Sequence, residues 1–276
     1  MGTITIPKGR FTFKVLGTSG YLDFWESVRN NQWEEETFKV FDRFLDPDHS
    51  CIDVGAWIGP TVLYEAQMAR QVYALEPDSV AFKELVANVE LNAGLQSKIK
   101  CLNLALTDQT KPVRLYLGRS AGNSESGILP NYSDEYMEVA GVTLDDLIQK
   151  YSIENVNFIK IDIEGGEYFI IQSMRSFLYR ARPTLYLSLH RPFLMKGFFK
   201  KLKKDRFRFS RYLGLIREWL NTERRTDVLT QRLLENLEFY KYFYDTTGKG
   251  ISKNQILRSG KFRDYPRIVI TDKKWS

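Results

Sequence analysis

An α/β fold built on a mostly parallel sheet, with helices on both faces, is the architecture this sequence predicts. Three observations point there. Apolar runs of strand length alternate with segments of helix length through residues 50–190. Those runs are nearly continuous rather than alternating, as strands buried on both faces require. Several end in Gly or an acidic residue, where open α/β sheets carry their ligands.

Taken in order, two β-rich runs open the chain, over residues 3–6 and 10–16, with Pro7, Lys8 and Gly9 as the turn between them. A helix is predicted over 33–45, from the helical spacing of Trp33, Thr37, Val40, Phe41 and Phe44, and Asp46-Pro47 ends it. Residues 50–54 form a short strand ending at Gly55, and Pro60 suits the first position of the next helix. A strand over 72–75 leads to Glu76-Pro77-Asp78. The helix over 79–92 takes Asp78 or Ser79 as cap and Gly94 as stop. A third strand spans 99–106, and the alternating run 113–117 reads as an edge strand.

Residues 118–138 read as a long Gly/Ser/Asn-rich loop, a lid or acceptor loop. Thr143 caps a helix. A fourth strand covers 157–163, a helix runs from Glu167 to about Leu178, and a fifth strand covers 184–190. A long basic helical stretch, 191–239, precedes two closing strands, 239–244 and 267–271, expected to pair antiparallel. The organisation predicted is an N-terminal β extension, 1–32, and one domain, 33–276, with a helical insertion at 191–239.

Composition narrows the class. Hydrophobic residues make up 43% and charged residues 27%, which excludes a disordered or collagen-like chain. Two cysteines, Cys51 and Cys101, are too few for a disulfide framework or a zinc cluster; both read as small hydrophobes in strands. No basic-then-apolar leader and no spanning apolar run is present, so a soluble cytoplasmic protein is expected. The net charge of +6 is uneven, because residues 191–225 alone carry +9.

Three motifs carry chemistry. Asp53-Val-Gly55-Ala-Trp-Ile-Gly59 lies at a strand end and opens a helix. Its Gly-x-x-x-Gly spacing differs from that of dinucleotide binders, and Asp53 points to a ligand with a positive portion. Glu76 ends the following strand, placed to accept hydrogen bonds from both ribose hydroxyls of a nucleoside. In Lys160-Ile-Asp162-Ile-Glu164-Gly165-Gly166-Glu167, three ionisable residues two apart line a buried strand end, where they need partners or a ligand.

Together these features resemble class I S-adenosylmethionine-dependent methyltransferases, and more closely the FkbM family. The segments Cys51-Ile-Asp-Val-Gly-Ala-Trp-Ile-Gly59, Tyr73-Ala-Leu-Glu-Pro77, Leu104-Ala-Leu106, Gly141-Val-Thr-Leu-Asp-Asp-Leu147 and Ile159-Lys-Ile-Asp-Ile-Glu-Gly-Gly-Glu167 fall in that family's order, over roughly residues 35–191. The resemblance implies a Rossmann-like, mostly parallel seven-stranded sheet. It implies S-adenosyl-L-methionine as cofactor and methyl transfer to a hydroxyl of a sugar, glycan or natural product. By position, Asp53, Gly55 and Gly59 would hold the methionine part and Glu76 the ribose, with Ala56, Pro77, Ala105 and Asp162 completing the cofactor site. The chain departs from many relatives at Trp57, where they carry Asn.

A hydroxyl acceptor must lose a proton near the transition state. His190, ending the fifth strand, is the first candidate base or acceptor-binding residue; His49 reads as loop. Asp162 and Glu164 are the rival bases, beside Lys160. Two carboxylates two apart are a weak basis for a divalent ion, so no metal is assigned.

The run 196–217 interleaves basic and aromatic residues. It reads as a solvated helical face, as a patch for peripheral contact with an anionic inner-membrane surface, or, third, as a nucleic-acid surface. The leading function is therefore O-methylation of a small-molecule or glycan acceptor, lipid-linked glycans included. A nucleic-acid methyltransferase and a catalytically silent nucleoside-binding scaffold are the alternatives.

Overall fold

The computed structural model describes residues 2–17, 20–118, 120–129, 134–190, 212–259 and 266–275, with the backbone alone over 212–220. The chain begins with β1 (Thr3–Lys8) and β2 (Phe11–Leu16), an antiparallel hairpin, then α1 (Leu22–Arg29) and α2 (Glu35–Phe44). The alternating part follows: β3 (Ser50–Val54), α3 (Pro60–Glu65), β4 (Gln71–Leu75), α4 (Ser79–Glu90), β5 (Ile99–Leu102) and β6 (Ala105–Leu106). After β7 (Pro112–Tyr116) and β8 (Tyr136–Val142) come α5 (Leu144–Tyr151), β9 (Val156–Ile161), α6 (Glu167–Ala181) and β10 (Thr184–Ser188). The chain closes with α7 (Tyr212–Asn236), β11 (Tyr242–Asp245), α8 (Lys253–Arg258) and β12 (Arg267–Thr271).

Seven strands form the main sheet in the order β11-β12-β10-β9-β3-β4-β5. The five from β10 to β5 are parallel; β12 runs antiparallel to both β10 and β11. The expected antiparallel closing pair is therefore present. Strand alternation splits the core between the two faces. Cys51, Phe158 and Tyr186 join one hydrophobic cluster with α2, α3 and α4. Ile52, Ile159, Leu185 and Leu187 join the other, with α5, α6 and α7. Ile6, Phe13 and Val15 of the hairpin and Trp25 of α1 lie in the first cluster, so the N-terminal segment covers the same core.

Capping sets several boundaries where they were expected. Pro60 starts α3; the Asp78 side chain accepts from the Val80 and Ala81 N–H groups at the start of α4; Thr143 accepts from Asp146 N–H at α5. Other expectations need correction. The run 99–106 is two strands, because the chain turns at Asn103, whose side-chain amide donates to the Glu76 and Pro77 carbonyls. β6 then joins a separate three-stranded sheet, β6-β8-β7. The segment read as loop to residue 138 already contains the start of β8, and Gly127 within it bridges to Tyr116. Helices α1 and α8 carried no pattern strong enough to read. Cys51 is buried, whereas Cys101 is half-buried. The insertion falls outside the described residues over 191–211.

Candidate active site

The site forms at the carboxyl ends of β3, β4, β9 and β10, and two loops build its floor. After β3 the chain turns through Gly55, at φ +85°, where an added Cβ would lie 2.0 Å from the Asp162 carbonyl oxygen. The loop after β9 is bound to the same turn, since Asp162 N–H donates to the Val54 carbonyl at 3.0 Å. Two strand ends are thereby locked side by side, and only glycine fits at the contact.

Trp57 also adopts a left-handed backbone, φ +48°. Asn tolerates that conformation better than most residues, and a bulky Trp adopts it rarely. Here the indole gives the turn a different use. Its Nε1 donates to the Gly122 carbonyl at 2.8 Å, the Tyr21 hydroxyl donates to the same oxygen at 2.9 Å, and Gly122 N–H donates to Asp78 Oδ2 at 2.6 Å. The loop around Gly122 is thus pinned over the strand ends from three elements.

Glu76 is 7% exposed and accepts from the Trp57 and Asp78 N–H groups, each at 2.8 Å. Burial pushes its carboxyl up to about 7, against the pull of those two donors. Each carboxylate oxygen retains acceptor capacity toward the adjoining cavity.

Asp53 lies deeper, fully buried, and lines neither cavity of the site. It accepts from Lys160 Nζ at 2.8 Å and from the Thr61 hydroxyl. Lys160 also donates to the Gly55 carbonyl at 3.1 Å. Burial disfavours the Lys160 charge, but Asp53 and Asp162 outweigh it and raise the ammonium above its ordinary value. Gly59 likewise lies beneath the surface; it stands before α3 at φ +93°, against Leu85.

Asp162, Glu164 and His190 converge. The fourth strand ends at Ile161 and the fifth at Ser188, each shorter than expected, so all three residues sit on loops past the strand ends. β9 and β10 are parallel neighbours, which puts those ends together. His190 Nε2 lies 3.3 Å from Asp162 Oδ1 and 3.7 Å from Glu164 Oε1. Its Nδ1 lies 3.3 Å from Glu167 Oε1, which also accepts from the His190 backbone N–H at 2.6 Å. Burial works against charge on the imidazole, but Glu167, Glu164 and Asp162 outweigh it and push His190 up to about 10. Burial likewise disfavours charge on Asp162, yet His190 and Lys160 hold its carboxyl below the ordinary value.

Two cavities open here. The first is lined by Glu76, Pro77, Ala105, Leu106 and the loop residues Asn123, Ser124 and Ser126 to Ile128. The second is lined by Phe24, Trp33, Glu34, Ala56, Lys160, His190 and Arg267. Gly55, Trp57, Ser124, Asp162 and Glu164 line both. Sequence reasoning missed the outer wall of the second cavity. The helical spacing predicts Trp33 and Glu34 within a helix, but Glu34 takes φ +46° and α2 starts at Glu35. Arg267, on the last strand, pairs with Glu34 across almost the whole chain. Nothing in the local sequence marks that pairing.

A doubly wound α/β protein whose paired cavities open at the carboxyl ends of its parallel strands is the class this fold and site define. The model of the Methyltransferase FkbM domain matches residues 53–228, well over half the chain, and the chain belongs to that family. The resemblance read from the motifs is met. Among solved structures, similarity is found to the methyltransferase FkbM from Methylobacillus flagellatus KT (17% identity, TM-score 0.40), over 67% of this chain and 48% of that one. This chain thus spans about half the length of that relative. An rRNA methylase from Streptococcus thermophilus matches at 10% identity and TM-score 0.45, over 87% and 95% of the two chains. Phosphoethanolamine N-methyltransferase 1 from Haemonchus contortus, solved with phosphoethanolamine and S-adenosylhomocysteine, matches at 13% identity and TM-score 0.31, over 59% and 27%. A comparison with curated proteins finds no match.

Proposed function

We propose that the protein is an S-adenosylmethionine-dependent O-methyltransferase acting on a hydroxyl of a sugar, a glycan or a natural product. The observation that carries this reading is the meeting of the two cavities along Gly55, Trp57, Ser124, Asp162 and Glu164. One cavity suits a nucleoside: a buried carboxylate at one end and apolar Ala105, Leu106 and Ile128 around the rest. The other is polar and charged, with Trp33 and Phe24 on its wall, as suits a hydroxylated acceptor.

The residues present fit the cofactor. Glu76 would accept the ribose hydroxyls, Pro77 and Ala105 would hold the nucleoside, and Gly55 and Ala56 would leave room for the methionine chain. Asp53 acts through Lys160 and Gly59 through the start of α3, so both shape the turn from beneath. When bound, S-adenosylmethionine supplies a sulfonium methyl that passes to the acceptor oxygen and leaves S-adenosylhomocysteine. Alignment across the junction supplies much of the rate. Asp162, Glu164 and His190 hold the acceptor hydroxyl and the carboxylates of the cluster take up its proton, with Lys160 holding the loop that carries them.

The remaining parts of the reading rest on composition and connectivity. Residues 1–32 are an N-terminal extension of a domain that spans 33–276 and carries an insertion at 191–239. The protein is cytoplasmic, and 196–217 touches an anionic inner-membrane surface. Among the described residues no helix is long and apolar enough to cross a membrane.

The test is calorimetric titration with S-adenosylmethionine and, in parallel, NAD. Saturable binding of the former alone, lost in Glu76→Ala, supports the reading and opens a screen of saccharides with methyl-labelled cofactor. A folded protein that ignores S-adenosylmethionine overturns it.

A further inference from the structure

The corner where His190 meets Asp162 and Glu164 has the geometry of an ion site. The three donors lie within 4.8 Å of one another, and all three residues line the second cavity. At a metal–ligand distance of about 2.1 Å, ligands lie about 3.0 Å apart at right angles and about 3.4 Å apart at a tetrahedral angle. The 3.3 Å separation from Nε2 to Asp162 falls within that scale, and the 3.7 Å separation to Glu164 lies just beyond it, within reach of a small side-chain adjustment on binding.

A second feature points the same way. Metal-binding imidazoles are characteristically fixed by a carboxylate on their other nitrogen. Glu167, fully buried in the first turn of α6, faces His190 Nδ1 at 3.3 Å and fixes the backbone beneath it. It therefore turns Nε2 toward Asp162 and Glu164. The Lys and Arg side chains that bear on Asp162 are tied elsewhere, Lys160 to Asp53 and Arg267 to Glu34.

We propose that Asp162, Glu164 and His190 bind one divalent cation of the Mg²⁺/Mn²⁺ type, open on the cavity side to an acceptor hydroxyl. Two carboxylates favour a hard ion, the imidazole favours Mn²⁺ over Mg²⁺, and three protein ligands leave positions for water or acceptor oxygens. The role assigned to the ion rests on the methyl-transfer reading above; its binding does not. A hydroxyl oxygen on the ion gives up its proton more readily, and that proton leaves to solvent in the cavity. The cation then replaces proton uptake by the cluster.

The 276-residue chain, stripped with chelator, is titrated with Mn²⁺ by calorimetry and electron paramagnetic resonance, and separately with S-adenosylmethionine. One saturable Mn²⁺ per chain is expected, weakened at least tenfold in Asp162→Asn and Glu164→Gln. The bound ion in the wild-type protein should show spin-echo modulation from a single imidazole nitrogen, a readout that needs no variant to fold. No saturable Mn²⁺ binding by folded protein overturns the proposal, as does binding that lacks nitrogen modulation. If S-adenosylmethionine binds and Mn²⁺ does not, the cation site falls and the methyl-transfer reading stands. If Mn²⁺ binds with the modulation and S-adenosylmethionine does not, the reverse holds.

Discussion

Asp53 and Lys160 are register partners on the adjacent parallel strands β3 and β9, and their side chains meet at 2.8 Å with both buried. Opposite charges sit at the same level of neighbouring strands, directly below the Gly55 turn. The pair fixes the height at which both strands end, and so where the two site loops begin. Its worth lies in placement, since a buried ion pair adds little net stability over apolar neighbours of equal size.

Removing one partner is a different matter. Lys160→Met leaves the Asp53 carboxyl buried without its cation, to be protonated or held by Thr61 alone among side chains. A loss of roughly 3–5 kcal/mol is expected, read by urea unfolding. Adding Asp53→Asn in the same chain should recover part of it. A double variant no more stable than the single one contradicts the pairing.

Gly55→Ala tests the contact between the two loops. The new methyl would meet the Asp162 carbonyl, at a backbone conformation that disfavours side chains. Cofactor binding by calorimetry should fall by at least an order of magnitude, since the turn must shift. Gly94→Ala, in open space, should leave it unchanged.

Glu76 sets a pH dependence. Its folded carboxyl, near 7, lies above the ordinary 4.5, so ionisation costs stability in the unliganded protein as pH rises from 4.5 through 7. Cofactor affinity runs the other way, because the ionised form accepts both ribose hydroxyls. Binding should be strongest above pH 7 and weaken below it, and Glu76→Gln should flatten the profile. Calorimetry between about pH 5.5 and pH 8.5 measures both curves around a midpoint of about 7; a flat wild-type curve refutes the assignment.

Tyr21→Phe removes one of the hydrogen bonds that pin Gly122. One such bond contributes about 0.5–1.5 kcal/mol, so the cofactor should dissociate roughly two- to tenfold faster. Stopped-flow fluorescence of Trp57, which lines both cavities, is the measurement.

Much of this was legible residue by residue. Pro60, Asp78 and Thr143 announce helix starts because caps act over three or four positions of chain. The short strands β3 and β12 were legible because burial on both faces demands unbroken apolar runs. Helix α1 escaped because it is eight residues long and buries only Trp25 and Val28. The break at Asn103 escaped because its cause is a bond to the Glu76 carbonyl, 27 positions away.

The site divides along the same line. Asp53, Gly55, Glu76 and the run from Lys160 to Glu167 follow local chain logic: a strand ends, a glycine turns, a helix begins. By itself the sequence determined the alternating fold, the family and these strand-end motifs. Only the tertiary structure decided that Asp53 serves Lys160 beneath the surface, that His190 faces three carboxylates, and that Trp33, Glu34 and Arg267 wall the second cavity. Those relations join residues up to 233 positions apart. They depend on which strands become neighbours and where each one stops, which packing of the whole sheet sets and no local pattern encodes.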